Sequence, residues 1–292
     1  MPKISQQAGV SILMAMTLVV IVTSILANAA LSTYYTLHRS GTIVHLTQAS
    51  TYNQAALNYA KTLLRLDSLQ NSYDSSDETW AQRLPAYPVE GGEVSAYIND
   101  LSGHFNLTNL TLEDPFEAAV FRRLFAFLSL STKQADKVID TARRQQYSSV
   151  IGLFAASQLS EAAINRIAPY FAYFPSNAQK ININTTPAEI LAAYFDLTIW
   201  QAQSLKDYLT HHPLKNTKQL SEFGLKHGIS QITIGKYGGG VLELRFAVSS
   251  RFFQVISIAS VGNTRATLVA TIDRIGHNVQ VISQRLSKLT SE

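Results

Sequence analysis

The sequence predicts an α+β chain with three parts: one long N-terminal helix, an antiparallel β-sheet domain, and a large all-helical domain inserted into it. Three observations predict this. Residues 10–37 carry no charged side chain, and the apolar pattern continues beyond them at helical spacing. Residues 91–109 and 241–274 are rich in strand formers punctuated by turn residues. Between those two stretches the chain shows repeated helix-start signals and apolar stripes. A β–α–β order of this kind suggests a helical domain placed within a β-sheet domain.

The N-terminal element comes first. Residues 1–9 are a short polar leader with one positive charge, Lys3, ending in Ala8-Gly9. The uncharged run VSILMAMTLVVIVTSILANAALSTYYTL follows, long enough to cross a bilayer. A basic leader feeding such a run predicts delivery to a membrane. Three fates are open. Cleavage between Gly9 and Val10 would leave a membrane helix at the new N-terminus. Cleavage at the A-x-A pattern of Ala27 to Ala29 would release a soluble protein, and no cleavage would leave a plain anchor. Leu46, Ala49, Asn53, Ala56, Ala60 and Leu63 recur at steps of three and four, so the helix is expected to continue in register as an amphipathic arm. A signal peptide would have no reason to do so. Gly41 is the weak point, costing about 1 kcal/mol against alanine. Residues 71–77, NSYDSSD, are a polar stop. The chain thus divides into a leader at 1–9, a transmembrane helix at 10–37 and its amphipathic continuation at 38–76.

The remaining elements follow in order. Residues 93–100 alternate as a strand, Leu101-Ser102-Gly103-His104 is a turn, and Phe105-Asn106-Leu107 is expected to return as a second strand. Gly103 is expected to supply a backbone angle that other residues resist. Asp114-Pro115 opens the helical part, with Asp as N-cap and Pro at the first position. Further starts are expected at Ser131-Thr132, at Ser157 or Ser160, and at Thr185-Thr186-Pro187. In the segment from Ile181 to Pro187, Ile181 and Ile183 are expected to face a core while Asn182 and Asn184 face away. Thr185 or Thr186 is expected to cap the helix that Pro187 opens. Lys236-Tyr237-Gly238-Gly239-Gly240 reads as a flexible junction, and 246–248, 252–259 and 266–273 read as strands, the last two joined by the turn Gly262-Asn263-Thr264-Arg265. The sheet domain is therefore assigned to 77–113 and 238–292, and the helical insert to 114–237.

Composition excludes several functions. The net charge of +4 is modest, and no run of Lys or Arg makes a nucleic-acid patch. There is no cysteine, hence no disulfide framework and no thiolate site. No nucleophile-elbow, zinc-protease or phosphate-loop pattern is present, so no catalytic, cofactor-binding or metal-ligating residue is assigned. His211 and His212 are adjacent on a helix and point apart, a poor metal pair. Asp74, Asp77 and Glu78 form a small acidic cluster that reads as a solvated loop. One reading from another class remains: residues 149–170 and 217–237 each read as helix–turn–helix, similar to helix-hairpin-helix units that hold DNA phosphates. That would make a membrane-anchored periplasmic DNA-binding protein. The turns lack a clean Gly-x-Gly and no basic face accompanies them.

Taken together, the segments resemble the minor pseudopilins of the K class of type II protein secretion. The leader with Gly9 resembles a prepilin signal. Residues 93–107, EVSAYINDLSGHFNL, resemble the family's I-x-D-x-x-G-R-x-N-L-N segment at Asp100, Gly103 and Asn106. Ala168-Pro169-Tyr170, Phe174-Pro175 and the run Ile181-Asn182-Ile183-Asn184-Thr185-Thr186-Pro187 resemble its L-A-P-Y, L-P and I-N-V-N-T-A-P block. Residues 250–253 and the hairpin to Arg274 resemble its closing strands. The resemblance implies a pilin-like sheet, cleavage between Gly9 and Val10 by prepilin peptidase and N-methylation of Val10. It also implies an inner-membrane anchor with a periplasmic body in a Gram-negative envelope, and the minor pseudopilins I and J as partners. The secretion machinery is implied as a further partner, with contact to exoproteins left open, and no nucleic acid is expected. Most pseudopilins carry Glu at the fifth mature position, whereas K-class proteins resemble this chain in lacking it: the residue here is Met14. Two departures stand out. The family's acidic, Trp-containing segment is replaced after Asp140 by Thr141-Ala142-Arg143-Arg144-Gln145-Gln146, so the calcium sites of some members do not carry over. His104 stands where the family usually has Arg.

Overall fold

In the computed structural model, the described residues are 4–83, 85–112, 114–174, 180–216, 218–219, 223, 226 and 245–290. The expected junction at 236–240, Pro175, most of the second helix–turn–helix unit and the first three leader residues lie outside them.

Helix α1 spans Ile4–Gln70 without a break and ends at the expected polar stop, short of residue 76. At 1.5 Å per residue its 67 residues make a rod of about 100 Å. Its two halves live in different surroundings. From Val10 to Ser40 the described side chains are exposed, whereas Ala49, Asn53, Leu57, Ala60 and Leu64 are buried. The buried stripe differs from the expected one at Ala56 and Leu63, which, like Leu46, are half-buried. The apolar residues one step on, Leu57 and Leu64, take their places because the helical period drifts against a fixed three-and-four count.

That stripe lies on a five-stranded antiparallel sheet. Its strands are β1 (Tyr87–Val89), β2 (Gly92–Asp100), β7 (Phe252–Val261), β8 (Thr264–Ile275) and β9 (Asn278–Thr290), in the order β1-β2-β7-β8-β9. Period-two alternation places Phe253, Val255, Ala259 and Val261 of β7, and Ala266, Leu268, Ala270 and Ile272 of β8, on the face that meets α1. Asn53 is the one polar residue of the helix stripe. Its Nδ2 donates to the Ala266 carbonyl at 3.0 Å, and its Oδ1 accepts from Ser257 Oγ at 2.7 Å. This pair fixes the register of the helix against the sheet, as does Gly262 at the β7–β8 turn. There φ is +52°, and a Cβ would sit 2.6 Å from the His45 ring.

Two expectations about strands are corrected. Phe105-Asn106 does not return along β2, whose partners are β1 and β7. It forms a two-residue strand β3 (Phe105–Asn106), parallel to β4 (Phe171–Ala172). A second short parallel ladder joins β5 (Ile181–Asn182) to β6 (Phe246–Ala247). The sheet also does not stop near Arg274. Gly276, at φ +60°, turns the chain into β9, a 13-residue edge strand.

The two short ladders bind the helical insert to the sheet domain. The insert holds α2 (Pro115–Phe127), α3 (Thr132–Arg144), α4 (Val150–Ala156), α5 (Glu161–Ile167), α6 (Ala188–Phe195) and α7 (Ile199–His211). Three of its starts follow the expected chemistry. Asp114 caps α2 through the Phe116 amide, Ser131 and Gln134 form a capping box on α3, and Ser160 caps α5. Its core is aromatic: Phe105, Phe121, Phe125, Phe154 and Phe171 meet ring to ring at 4.3–6.2 Å.

Candidate functional site: an exposed apolar helix on a polar-locked body

Two features stand out for function, the outer half of α1 and the joint that holds the body beneath it. The uncharged run from Val10 to Leu37 spans about 42 Å as a helix, more than the roughly 30 Å of a bilayer core. Its most apolar 18-residue window has mean hydropathy 2.6 and no buried residue. Several of its polar side chains bond within the helix. Thr23, Ser24 and Thr33 donate to carbonyls four residues back at 2.7–2.9 Å, and Asn28 Nδ2 does so at 3.1 Å. A helix that satisfies its own polar groups is compatible with lipid. Val10 and Met14 lie on this surface, 54% and 68% exposed, and Gly9 lies within the same helix. His38 and Arg39 close the uncharged run on the body side.

The joint is built around Asn182 and Asn184, and here the expectation reverses. Both were expected to face away from the core, yet both are fully buried. Their amides carry long-range bonds that an apolar residue could not make. Asn182 Nδ2 donates to Ser250 Oγ at 2.7 Å, to the Asp74 carbonyl at 3.1 Å and to Asp100 Oδ2 at 3.2 Å. Asn184 Nδ2 donates to the carbonyls of Leu214 at 2.9 Å and Asp74 at 3.1 Å, while its Oδ1 accepts from the Leu214 amide at 2.9 Å. The local turn bond expected of an Asn is also present, from the Asn184 amide to Asn182 Oδ1 at 3.1 Å. One short motif thus gathers the segment after α1, the end of β2, the loop after α7 and the approach to β7.

Asp100 is the second node. Ser102 N donates to its Oδ1 at 2.7 Å, Thr185 Oγ1 donates to its Oδ2 at 2.5 Å, and Ser250 Oγ donates to the same oxygen. Thr185 is therefore not a helix cap. Thr186 donates to the Asn182 carbonyl instead, and Pro187 itself occupies the cap position of α6. Gly103 also serves a different purpose from the expected one. Its φ is not positive, but a Cβ there would lie 2.6 Å from Thr185 Oγ1 and 3.0 Å from the Thr185 carbonyl carbon. It is a site of close approach. Asn106 Oδ1 accepts from the amides of Thr108 at 3.1 Å and Phe174 at 3.3 Å, which holds the β3–β4 ladder end. Pro169 starts a single 3-10 turn after α5.

Sequence reasoning missed the third node. Asp74, expected in a solvated loop, is 1% exposed. Arg274 Nη2 donates to both of its oxygens, at 2.6 and 2.5 Å, and to the Ser250 carbonyl at 3.0 Å. Arg274 Nη1 reaches Asp67 at 3.0 Å, and Ser250 N donates to Asp74 Oδ2 at 2.6 Å. The signal was available: Arg274 sits at the inward position of β8, in step with Ala270 and Ile272. Burial pushes the Asp74 carboxyl up to about 7, although Arg274 pulls it back. Burial likewise lifts Glu78 to about 6, lowers Lys206 to about 8 and holds His104 below the ordinary imidazole value. Oxygens of Asp67, Asp74 and Glu78 lie within 4.8 Å of one another, a spacing that suits a cation. Arg274 already supplies that charge, and Glu78 is held by the Ser75 amide and the Trp80 indole. Around Asp140, which is exposed on α3, the neighbouring Arg143 and Arg144 do not form the oxygen cage calcium needs. The side chains of Asp74, Asp100, Asn182, Asn184 and Arg274 bond to one another and to neighbouring backbone, and so fix the connection between the segments. His211 bonds its own helix, Nδ1 to the Asp207 carbonyl at 2.8 Å. Of the two helix–turn–helix units, the first is α4 and α5, each seven residues long.

Comparison with known proteins agrees with this architecture. No family model matches the chain. The chain is similar to type II secretion system protein K. It is 27% identical to that protein from Pseudomonas aeruginosa, over 92% of this chain and 89% of the relative. It is 24% identical to that of Aeromonas hydrophila, over 98% and 99%, and 24% identical to that of Pectobacterium carotovorum subsp. carotovorum, over 96% and 97%. Among solved structures, one chain of the GspK-GspI-GspJ complex from the enterotoxigenic Escherichia coli type 2 secretion system superposes with a TM-score of 0.71. The match has 18% identity and covers 85% of this chain and 99% of that one. The fold is thus a long apolar helix, a pilin-like antiparallel sheet and a large helical insert.

Proposed function

We propose that the chain is a K-class minor pseudopilin that starts a pseudopilus from the inner membrane. The observation that carries this reading is α1, whose exposed uncharged half runs without a break into a half packed on the sheet. Such a rod anchors the body in lipid and also offers a surface for other apolar helices. Similarity to type II secretion system protein K over most of both chains supports the same reading. Prepilin peptidase would cut between Gly9 and Val10, and Val10 would be N-methylated. Residues 10–37 would span the inner membrane, with 38–76 leading into a periplasmic body of sheet (77–113 and 238–292) and insert (114–237).

Met14 supports a position at the tip. A carboxylate in lipid persists only with a partner, and pseudopilins use one to meet the N-terminus of the subunit ahead. A subunit with methionine there needs no subunit ahead, and a bulky insert would block addition above it. Partners would be the minor pseudopilins I and J. A deletion strain tests the role: secreted proteins should accumulate in the periplasm, and the full chain should restore export. Normal secretion in the deletion strain would refute it.

A further inference from the structure

The outer edge of the sheet has features that the assembly role does not use. β9 is the last strand of the five, and among the described residues no strand pairs with its outer edge. An edge this long exposes a row of backbone donors and acceptors, which proteins normally guard with charge. The charge here is of one sign: residues 278–290, NVQVISQRLSKLT, include Arg285 and Lys288 and no carboxylate. Beside the strand lies a cleft of about 780 Å3, between Ile282 and Ser283 of β9 and the end of α3. Arg143, Arg144, Tyr147 and Tyr173 contribute to its wall, and among the described residues no Asp or Glu does. Arg143 is held by the Leu110 carbonyl at 3.3 Å, whereas Arg144 has no ion pair among the described residues and is exposed.

We propose that β9 and this cleft form a docking site for an extended acidic segment of a partner protein, added as a sixth strand. Backbone pairing would supply affinity, as in other strand-addition complexes. Arg144 and Arg285 would select carboxylates, and the tyrosines and Ile282 would take apolar side chains between them. Charge decides the occupant. A second copy of this chain would bring another strand with basic residues and no carboxylate to the same edge, and like charges between paired strands are unfavourable. An acidic strand relieves the same charges. The inference rests on β9 and α3 and does not depend on the proposed role of α1.

The full chain in detergent would be titrated against a fluorescent octapeptide alternating glutamate with valine, read by anisotropy. Controls are the lysine–valine octapeptide and the glutamate peptide N-methylated at alternate backbone amides. The acidic peptide should bind and the lysine peptide should not. N-methylation should weaken binding at least tenfold, and R144E should do the same. R144E alters an exposed side chain, and an unchanged circular dichroism spectrum would show that the fold is kept. R285E provides a second variant, with the same loss expected. No binding by the acidic peptide, equal binding by the lysine peptide, or binding indifferent to N-methylation would overturn the proposal.

Discussion

Replacing Arg274 by methionine removes the cation from the joint while keeping much of the side-chain volume. Arg274 is 7% exposed and Asp74 is 1% exposed, so the substitution leaves Asp74 buried without its counter-charge. It also leaves the carbonyls of Leu64 and Ser250 without the donors that reach them at 3.3 and 3.0 Å. Breaking a buried pair by removing one partner costs about 3–5 kcal/mol. Each kcal/mol shifts the melting temperature of a domain this size by about 2–4 °C, so a fall of about 6–20 °C is expected. Trp80 is a local reporter. It is 3% exposed and packs edge-on against Phe253 at 5.2 Å, and the Arg274 guanidinium lies 4.7 Å from that same ring. Thermal unfolding of the full chain in detergent, followed by tryptophan fluorescence, reads the change. Adding Asp74→Asn to Arg274→Met should recover part of the loss, because the buried charge disappears. If Arg274→Met cost under 1 kcal/mol, or if the second substitution made matters worse by its full separate cost, the joint would not work as argued.

Gly103→Ala should cost about 1–3 kcal/mol by overpacking against Thr185, and Thr185→Ala, which removes the hydroxyl, should not fully rescue it because the contact with the Thr185 carbonyl group remains; urea unfolding checks both. Asn53→Leu should cost about 1–3 kcal/mol by leaving the Ala266 carbonyl and Ser257 hydroxyl buried without a partner, and Ser257→Ala should return part of that loss. Burial holds His104 neutral, so its folded value lies below the unfolded 6.5. The unfolded chain then binds the proton first, and stability should fall as pH drops below 6.5. His104→Gln should reduce that fall, measured by urea unfolding at pH 7.5 and 5.5. Asp74 acts in the opposite sense, because its raised folded value makes stability fall as pH rises from about 4 to about 7. In the Asp74→Asn background the net loss of stability on the acid side should therefore be steeper.

The parts of this chain that could be read directly are those where local chemistry and tertiary position agree. The uncharged run before His38, the Asp114-Pro115 start, the Ser131 cap and the Gly262 turn each carry their own cause within a few residues. The parts misread are those where a distant segment decides. Phe105 and Asn106 pair with Phe171 and Ala172, more than sixty residues away, and two-residue ladders leave no periodic trace. β9 faces solvent over much of its length, so its polar alternation did not stand out. Asn182 and Asn184 alternate with isoleucines, and polar residues in such a pattern are normally read as solvent-facing; here they are buried because four chain segments need donors at one point. The same holds for Asp74 and Arg274, two hundred residues apart, whose pairing only the fold reveals. The apolar half of the candidate site was therefore accessible from sequence. The joint was present as a motif, but its geometry was not.

The central claim is that α1 is delivered as a processed pseudopilin helix. The most direct test is the intact mass and N-terminal sequence of the protein purified from its own membranes. The account predicts a chain that begins at N-methylated Val10. A chain that begins near Ala30, or one that retains Met1, would contradict it.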